Sequence, residues 1–199
     1  MFYNPEINDI KSYEELMNEY NTSFPQNIEV FKNYYRIHKE DIPITTIYQT
    51  IKENPIQLID GKYVITYSIS YKSIQELKTL KLKEIETGFS RMSKDAFVIS
   101  SCGFKINANE TAYRDVEGLI KVMKADKYDE ELFRDYNDEF HSVTLNDLEK
   151  MQLEIIKNGH NLYKQKWKFI SDINALSTEE EVAKYNVIYK NMDFSNVSK

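Results

Sequence analysis

Three histidines are the residues best suited to hold a metal ion or to transfer a proton, and their spacing argues against both roles. His38, His141 and His160 form none of the HxH, HxxxH or HExxH patterns that place two ligands on one face. The run DYND at 135–138 resembles the start of a calcium loop, but it lacks the central glycine and the final carboxylate of that loop. We therefore predict no metal site, a hairpin turn over 135–138, and a surface position for His141.

Neither an activated nucleophile nor a phosphate-binding loop is evident. Cys102 is the only cysteine, which excludes an internal disulfide and a thiolate zinc site, and its predicted strand carries no cation before Lys105. The chain has five glycines and lacks the GxSxG, GxGxxG and Walker patterns. Its paired glutamates lie at predicted helix starts, where they complement the helix dipole. We predict an inert buried thiol, no catalytic residue and no cofactor.

The chain holds 15 tyrosines and one tryptophan, and several of them are candidates for contact with a partner. Tyr63, Tyr67 and Tyr71 alternate along a predicted strand, and an aromatic face on a small sheet is typical of an interaction surface. Tyr163 and Trp167 lie about one turn apart on a predicted long helix, where they could stack on a ligand. The alternative is structural, with tyrosines that replace smaller core residues and a tryptophan that anchors the core.

Length and charge limit the class of protein further. At 199 residues the chain can form one compact domain or two small ones, with 41% hydrophobic residues to build a core. Its net charge of −6 argues against nucleic-acid binding, which draws affinity from Lys and Arg. No apolar run approaches the roughly 18 residues that cross a bilayer, and no secretory signal is predicted. Nucleic acid and membranes are therefore not expected partners.

The pattern of apolar residues predicts an α+β fold in two parts. A switch from period two to period 3.6 near Ser73 predicts an N-terminal docking module over 1–72 and a C-terminal α+β helical domain over 73–199. The module is predicted to hold a helix over 13–20, capped by Ser12 and Glu15, and a hairpin around Asp60-Gly61. In that hairpin Ile56–Ile59 pairs with a strand over 62–71, and the sheet is completed by Thr45–Gln49 or by a neighbouring subunit.

The C-terminal domain is predicted to alternate helices with hairpins. Ser73 with Glu76, and Ser177 with Glu180, fit capping boxes that begin its first and last helices. Its long helix would span roughly 45 Å, and Gly159 could kink it. The predicted elements are a helix after Ser73, a hairpin of 97–101 with 104–107, a helix over 110–123, a hairpin of 131–134 with 139–143, the long helix Leu145–Asn174, and a last helix to about Tyr189.

Two stretches of the chain together resemble proteins encoded among bacteriophage tail genes. The first stretch is the opening MFYNP with Pro55 and the run GKYV at 61–64, followed by a polar strand and a Lys/Glu-rich helix. The second resembles the C-terminal domain of unknown function found in phage and prophage tail-fibre-associated proteins. It comprises FRD at 133–135, FHSVTL at 140–145, GHNLY at 159–163, Trp167 and INA at 173–175.

The resemblance implies a non-enzymatic structural or adaptor component of a tailed-phage virion, located at the tail fibre, the tail tip or another appendage. Other phage tail or fibre proteins would be its partners, and the amount of periodic helix and edge strand favours a homo-oligomer. The alternatives are a tail-fibre assembly chaperone that leaves the mature particle, a protein that binds a host factor, and a small hydrolase that uses His141 or His160.

Overall fold

The computed structural model describes residues 1–196 and confirms the α+β class, with 42% helix and 24% strand. The chain divides into two compact units, Met1–Lys72 and Ser73–Lys199, so the boundary coincides with the change of periodicity near Ser73. Among the described residues no helix combines the length and the apolar content needed to span a membrane. Each unit is described by itself below.

Unit 1 is built on a six-stranded sheet that one short helix covers. The sheet order is β2-β1-β4-β7-β6, with β3 paired to the N-terminal part of β4. β4 and β7 are parallel, and the other pairs are antiparallel. The elements are β1 Phe2–Asn4, β2 Asp9–Lys11, α1 Tyr13–Glu19, β3 Val30–Phe31, β4 Tyr34–Lys39, β5 Gln49–Glu53, β6 Gln57–Ile59, β7 Lys62–Ile65 and β8 Tyr67–Tyr71.

The start of α1 follows from its capping box, as predicted. The Ser12 hydroxyl accepts from the Glu15 N–H, and the Glu15 carboxylate accepts from the Ser12 N–H. The helix buries Leu16 against an aromatic core in which the Phe24 and Phe31 rings stack 4.2 Å apart. This core comprises Phe2, Leu16, Phe24 and Tyr34.

The predicted strand over 62–71 is wrong as one continuous element. Asn54 interrupts it at Thr66: the Asn54 N–H donates to the Thr66 carbonyl, and the Asn54 amide donates to the Thr66 hydroxyl, both at 2.9 Å. The first half, β7, forms the predicted hairpin with β6 around Asp60-Gly61, where both residues have positive φ. The second half, β8, pairs instead with β5 in a separate two-stranded ribbon.

Unit 2 packs two helices, α2 and α3, against the long helix α4, with two hairpins beside them. Its core is larger than that of unit 1 and includes Ile85, Val98, Met123, Leu148 and Leu162, all fully buried. The elements are α2 Ile74–Lys94, β9 Phe97–Ile99, β10 Lys105–Asn107, α3 Glu110–Asp126, β11 Glu130–Arg134, β12 Phe140–Thr144, α4 Leu145–Ala175 and α5 Glu179–Lys184.

The long helix is continuous, so Gly159 does not split it. It runs for 31 residues from a capping box in which Thr144 and Asp147 exchange hydrogen bonds. At 1.5 Å per residue this length corresponds to roughly 46 Å. A Cβ at position 159 would meet nothing within 4 Å, so the glycine does not reflect close packing at that position.

The predicted last helix is wrong at both ends. Thr178, with Glu181, forms the capping box in place of Ser177 with Glu180, and the helix ends at Lys184 rather than near Tyr189. The segment 186–192 is non-helical and is held by amide side chains of α4. The Asn158 side chain accepts from the Met192 N–H at 2.8 Å, and Gln165 both donates to and accepts from the Lys190 backbone at 2.8 Å.

Candidate interaction surfaces

The residues best suited to bind a metal ion or to transfer a proton form a small cluster at the tip of the β11–β12 hairpin. Asp135, Glu139 and His141 place potential ligand atoms within 4.8 Å of one another. The Asp135 side chain is 1% exposed, and its Oδ2 lies 3.1 Å from His141 Nε2. The His141 ring stacks on Phe104 with centroids 3.9 Å apart.

The hydrogen bonds of Asp135 identify the cluster as a turn. Its Oδ1 accepts from the N–H groups of Asn137 at 2.7 Å and Glu139 at 2.9 Å. Burial alone would raise the pKa of Asp135, but the Glu139 N–H, His141 and the Asn137 N–H together hold it below its usual range. A cation would have to replace the contact of Asp135 with His141. The arrangement therefore fits the predicted hairpin turn, with His141 half-buried rather than fully at the surface.

Cys102 and Glu154 form a second polar group, between α4 and the β9–β10 connection. Burial raises the pKa of the half-buried Cys102 thiol, which keeps it protonated at neutral pH. Glu154 Oε1 accepts from the Ser101 N–H at 3.0 Å and from the Ser101 hydroxyl at 2.6 Å. These contacts tie the connection to α4 and bring no base to the thiol.

Unit 1 carries a row of aromatic and aliphatic side chains on the sheet face opposite α1. Tyr3 is the direct cross-strand partner of Ile10 on one side and of Tyr35 on the other, and Leu58 is the partner of Tyr63. The Tyr63 ring lies 5.3 Å from the Tyr3 ring and 5.1 Å from the Tyr35 ring. We call Ile10, Tyr3, Tyr35, Tyr63 and Leu58 the tyrosine face.

The tyrosine face is open to solvent although its rings pack on one another. Leu58 is 62% exposed and Ile10 48%, while Tyr35, in the middle of the row, is 37% exposed. The opposite side of the same strands carries Phe2 and Tyr34, which are buried in the core under α1. On the side of the tyrosine face, Ile65 of β7 is buried, so that side is open only in part.

Tyr63, Tyr67 and Tyr71 are predicted to form one partner-contact surface on a single strand, but they do not share a surface. Tyr63 belongs to the tyrosine face, whereas Tyr67 and Tyr71 lie on β8 opposite Glu53 and Gln49 of the ribbon. All three are half-buried. The alternation along 62–71 is interrupted at Thr66, and with it the common face.

Tyr163 and Trp167 lie together on the solvent side of α4. Their rings are 6.0 Å apart, Tyr163 is 48% exposed and Trp167 58% exposed. Ile156 and Leu153, 49% and 50% exposed, lie on the same side towards the helix start. We call these four residues the α4 stripe. The alternative of Trp167 as a core anchor is inconsistent with its exposure.

A cavity of about 520 Å³ adjoins the α4 stripe. The C-terminal end of α2, the start of α3 and the middle of α4 form its walls, and Tyr163 is shared with the stripe. The Phe89 ring, 4.7 Å from the Tyr163 ring, forms an apolar wall. The opposite rim is polar and includes Lys94, Asn109 and Thr111.

The sequence groups Tyr35 with the tyrosines of 63–71 as a possible aromatic face but does not pair their strands, and it gives no sign that Tyr3 belongs to the same surface. Tyr3 and Tyr35 lie in strands that the sequence did not reveal, because β1 is three residues long and β4 pairs with strands from both ends of the unit. The adjacent pair Tyr34-Tyr35 was the available signal, since neighbouring residues of a strand point to opposite faces, and the structure buries Tyr34 and exposes Tyr35.

No protein-family model matches this chain, and no curated protein or solved structure is similar enough to it to count as a match. The resemblance to phage tail proteins thus stays a prediction from short motifs.

Proposed function

We propose that this protein is a non-enzymatic structural or adaptor component of a tailed-phage virion, positioned at the tail fibre, the tail tip or another appendage. The α4 stripe is the observation that carries the proposal. Four large apolar side chains, each about half exposed, lie along one side of a rigid helix of 31 residues. The exposed His160 lies between Ile156 and Tyr163 on the same side, so the surface is apolar with a polar middle, and such a mixture is typical of a protein-binding site.

The surroundings of the stripe define the chemistry of the partner. Lys157 and Lys164 lie three or four residues from Leu153 and Trp167, so they border the stripe. Neither lysine forms an ion pair within residues 1–196. A partner that places apolar side chains on the stripe and carboxylates around it would satisfy both features. Another tail or fibre protein is the partner we propose.

The polar clusters support a binding role over a catalytic one. The Asp135 carboxylate is occupied by a turn, Glu154 holds a backbone connection, and the pKa of the Cys102 thiol is raised. Each group thus has a structural role that requires no substrate. In the alternative of a hydrolase, His141 or His160 would act. His141 lies in the Asp135 cluster, whereas His160 lies on α4 and is not part of that cluster.

Mass spectrometry of purified phage particles tests the proposed location. We expect the protein at a fixed copy number relative to the tail proteins. Its absence from mature particles would contradict the proposal. If the protein is absent but raises the solubility of a co-expressed fibre protein, it is an assembly chaperone instead.

A pair of matched variants tests the surface. Trp167→Lys places a charge in the stripe, whereas Ile188→Lys changes a residue of equal exposure, 59% against 58%, outside it. We expect Trp167→Lys to weaken attachment by about thirtyfold or more, as for loss of an interface hot spot, and so to lower the copy number per particle, and Ile188→Lys to leave it unchanged. Equal incorporation of the two variants would exclude the α4 stripe as the attachment surface.

A further inference from the structure

We propose that the cavity of about 520 Å³ in unit 2 binds a small organic anion, a molecule with an aromatic or aliphatic body and one carboxylate or similar group. Its volume lies within the range of about 300–1,000 Å³ that small-molecule sites have. We call it the Gly159 cavity, after the glycine that α4 contributes to its wall. The proposal goes beyond the virion assignment and does not depend on it, because it follows from the lining of one cavity.

The most deeply buried part of the lining is apolar. Ala96 and Ala108 are buried and carry a single methyl group each, and Leu162 is fully buried beside them. The rings of Phe89 and Tyr163, 4.7 Å apart, form one side of the cavity. An aliphatic chain or an aromatic ring placed against these walls would leave water, and an aromatic ring would also pack on the two rings. The walls therefore favour a ligand with an apolar body.

Gly159 leaves space in the wall that α4 contributes. It lies in the interior of the helix, where glycine is a poorer helix former than any residue except proline. A Cβ at this position would meet no atom within 4 Å, so close packing does not require the glycine. Because Gly159 lines the cavity, a longer side chain here would occupy the cavity itself. The glycine thus keeps this volume open to a ligand.

Hydrogen bonds between α2 and α3 hold the cavity in shape without a ligand. The Ala108 N–H donates to the Ala96 carbonyl at 2.8 Å, and the Asn109 side chain donates to the Lys94 carbonyl at 3.0 Å. The same Asn109 side chain accepts from the Ala112 N–H at 2.9 Å, which fixes the start of α3. A ligand that enters a preformed site does not have to order its walls, so less of the binding free energy is lost.

A positive charge lies on the rim of the cavity. Lys94 and Glu110 are the charged residues of the lining, and the Glu110 carboxylate is paired with Arg114 on the next turn of α3. Among residues 1–196 Lys94 forms no ion pair, and the hydroxyls of Ser93 and Thr111, which also line the cavity, form no hydrogen bond. A carboxylate at the rim would accept from these groups. Complementary charge of this kind selects the ligand more than it adds affinity.

One molecule has to match both parts of the lining. A fully apolar molecule would make no use of the Lys94 ammonium group, and a small polyanion such as inorganic phosphate would place charge against Phe89 and Leu162 without compensation. An arylalkyl carboxylate places its ring and chain on the apolar walls and its charge at the rim. This is the class of ligand that the Gly159 cavity fits.

An NMR titration of the full chain with 4-phenylbutyrate tests the proposal, and 4-phenylbutan-1-ol is the neutral probe of the same length. We expect one site per chain with a dissociation constant of about 0.1–1 mM for the carboxylate, because a small ligand has few atoms to bury. The alcohol should bind about fivefold or more weakly, since it lacks the charge that Lys94 attracts. Amide signals of residues 93–96, 108–111 and 159–163 should shift, which locates the site in the cavity.

Two pairs of matched variants separate the cavity from the rest of the surface. Gly159→Leu fills the cavity and should weaken binding of 4-phenylbutyrate by about tenfold or more. Gly118→Leu, at a glycine with equally open surroundings outside the lining, should change it by less than about twofold. Lys94→Glu reverses the charge of the rim and should weaken binding by about tenfold, whereas Lys83→Glu makes the same change of net charge elsewhere on α2 and should not.

Circular dichroism checks that each variant is folded, and Lys94→Glu, at an exposed position, tests the site if Gly159→Leu does not fold. Weaker carboxylate binding in Gly159→Leu and Lys94→Glu, with both controls near wild type, supports the proposal. It is overturned if 4-phenylbutyrate does not bind at about 10 mM, if the shifts are confined to Leu153, Ile156 and Trp167, or if Gly159→Leu and Gly118→Leu have equal effects. Binding of the alcohol as tightly as the carboxylate overturns the assignment of an anionic ligand.

Discussion

Asp135 organises the β11–β12 turn with a single carboxylate. The carboxylate accepts from two backbone N–H groups and lies against His141, while its own side chain is almost completely buried. A buried acceptor with several donors stabilises the fold in its ionised form, because the donors would otherwise lack a partner. The low pKa of Asp135 reflects these bonds.

We predict that Asp135→Ala lowers the free energy of unfolding at pH 7 by about 1–3 kcal/mol, because it leaves two backbone donors without their acceptor. The folded-state pKa of Asp135 is lowered, so the stabilisation by the ionised form is present above the unfolded pKa of about 3.9 and is lost as pH falls through the folded value. Urea unfolding at pH 7 and pH 3 should therefore show the difference between wild type and variant shrinking at low pH.

Asp129→Ala is the control for that experiment. Asp129 is exposed and has no hydrogen bond or ion pair within residues 1–196, so its removal should change stability by less than about 0.5 kcal/mol. If Asp129→Ala lowered the free energy of unfolding as much as Asp135→Ala, the loss at Asp135 would come from the change of net charge and not from the turn.

Glu154 illustrates the opposite case of a half-satisfied carboxylate. Its Oε1 accepts twice from Ser101, whereas its buried Oε2 has no hydrogen-bond partner among the described residues. We predict that Glu154→Gln, which keeps an acceptor for Ser101 and removes the charge, leaves the unfolding free energy within about 1 kcal/mol of wild type. Glu154→Ala should cost about 1–3 kcal/mol, because Ser101 loses its acceptor.

Urea unfolding at pH 7 compares the two Glu154 variants directly. If Gln were as damaging as Ala, the second oxygen would have to make a stabilising interaction that Gln cannot reproduce. The ranking of the two variants, rather than the size of either effect, is the informative result.

At the scale of elements, glycines inside the helices show where packing overrides helix propensity. A Cβ at Gly118 of α3 or Gly159 of α4 would meet no atom within 4 Å. A Cβ at Gly88 of α2 would lie 3.1 Å from Cε2 of Tyr189, whose buried hydroxyl donates to the Ile85 carbonyl at 3.1 Å. The glycine in α2 thus makes room for the C-terminal segment, and the other two do not.

We predict that Gly159→Ala and Gly118→Ala each raise the unfolding free energy by up to about 1 kcal/mol, since alanine is the better helix former. Gly88→Ala should gain less or should destabilise, because the Tyr189 ring would have to move by a few tenths of an ångström in a packed site. Thermal unfolding of the three variants side by side provides the measurement. Equal stabilisation at all three positions would mean that Tyr189 does not constrain α2.

Elements fixed by local hydrogen bonds could be predicted from the sequence. Helix starts at Ser12, Ser73 and Thr144 are confirmed, because a capping hydroxyl and a carboxylate three residues on need no other part of the chain. The last helix shows the limit of this signal. Ser177 with Glu180 and Thr178 with Glu181 fit the same pattern, and the local sequence does not distinguish them, whereas the structure forms the second.

The tyrosine face could be predicted only in part, because strand pairing is not local. Alternation separates Tyr63 from Val64, but its ring neighbours Tyr3 and Tyr35 come from strands about 60 and 30 residues earlier in the chain. The choice of β5 as the partner of β8 depends in the same way on contacts far apart in sequence. By contrast, Tyr163 and Trp167 share one helix face, and helical spacing alone brought them together.

At the scale of the whole molecule, the two units have separate hydrophobic cores. The core of unit 1 comprises residues from positions 2 to 34, and that of unit 2 comprises residues from positions 85 to 194. The two cores have no residue in common. A compact unit with its own core is expected to fold by itself.

We predict that the fragment 73–199 folds without unit 1 and unfolds in one cooperative transition. The only tryptophan of the chain, Trp167, lies in unit 2, so its fluorescence reports on that unit alone in the fragment and in the full chain. The two fluorescence midpoints in urea should agree, whereas circular dichroism of the full chain also follows unit 1. A fragment without helical circular dichroism, or with a clearly lower midpoint, would show that unit 2 requires unit 1 for its stability, and separate cores would then not mean separate folding.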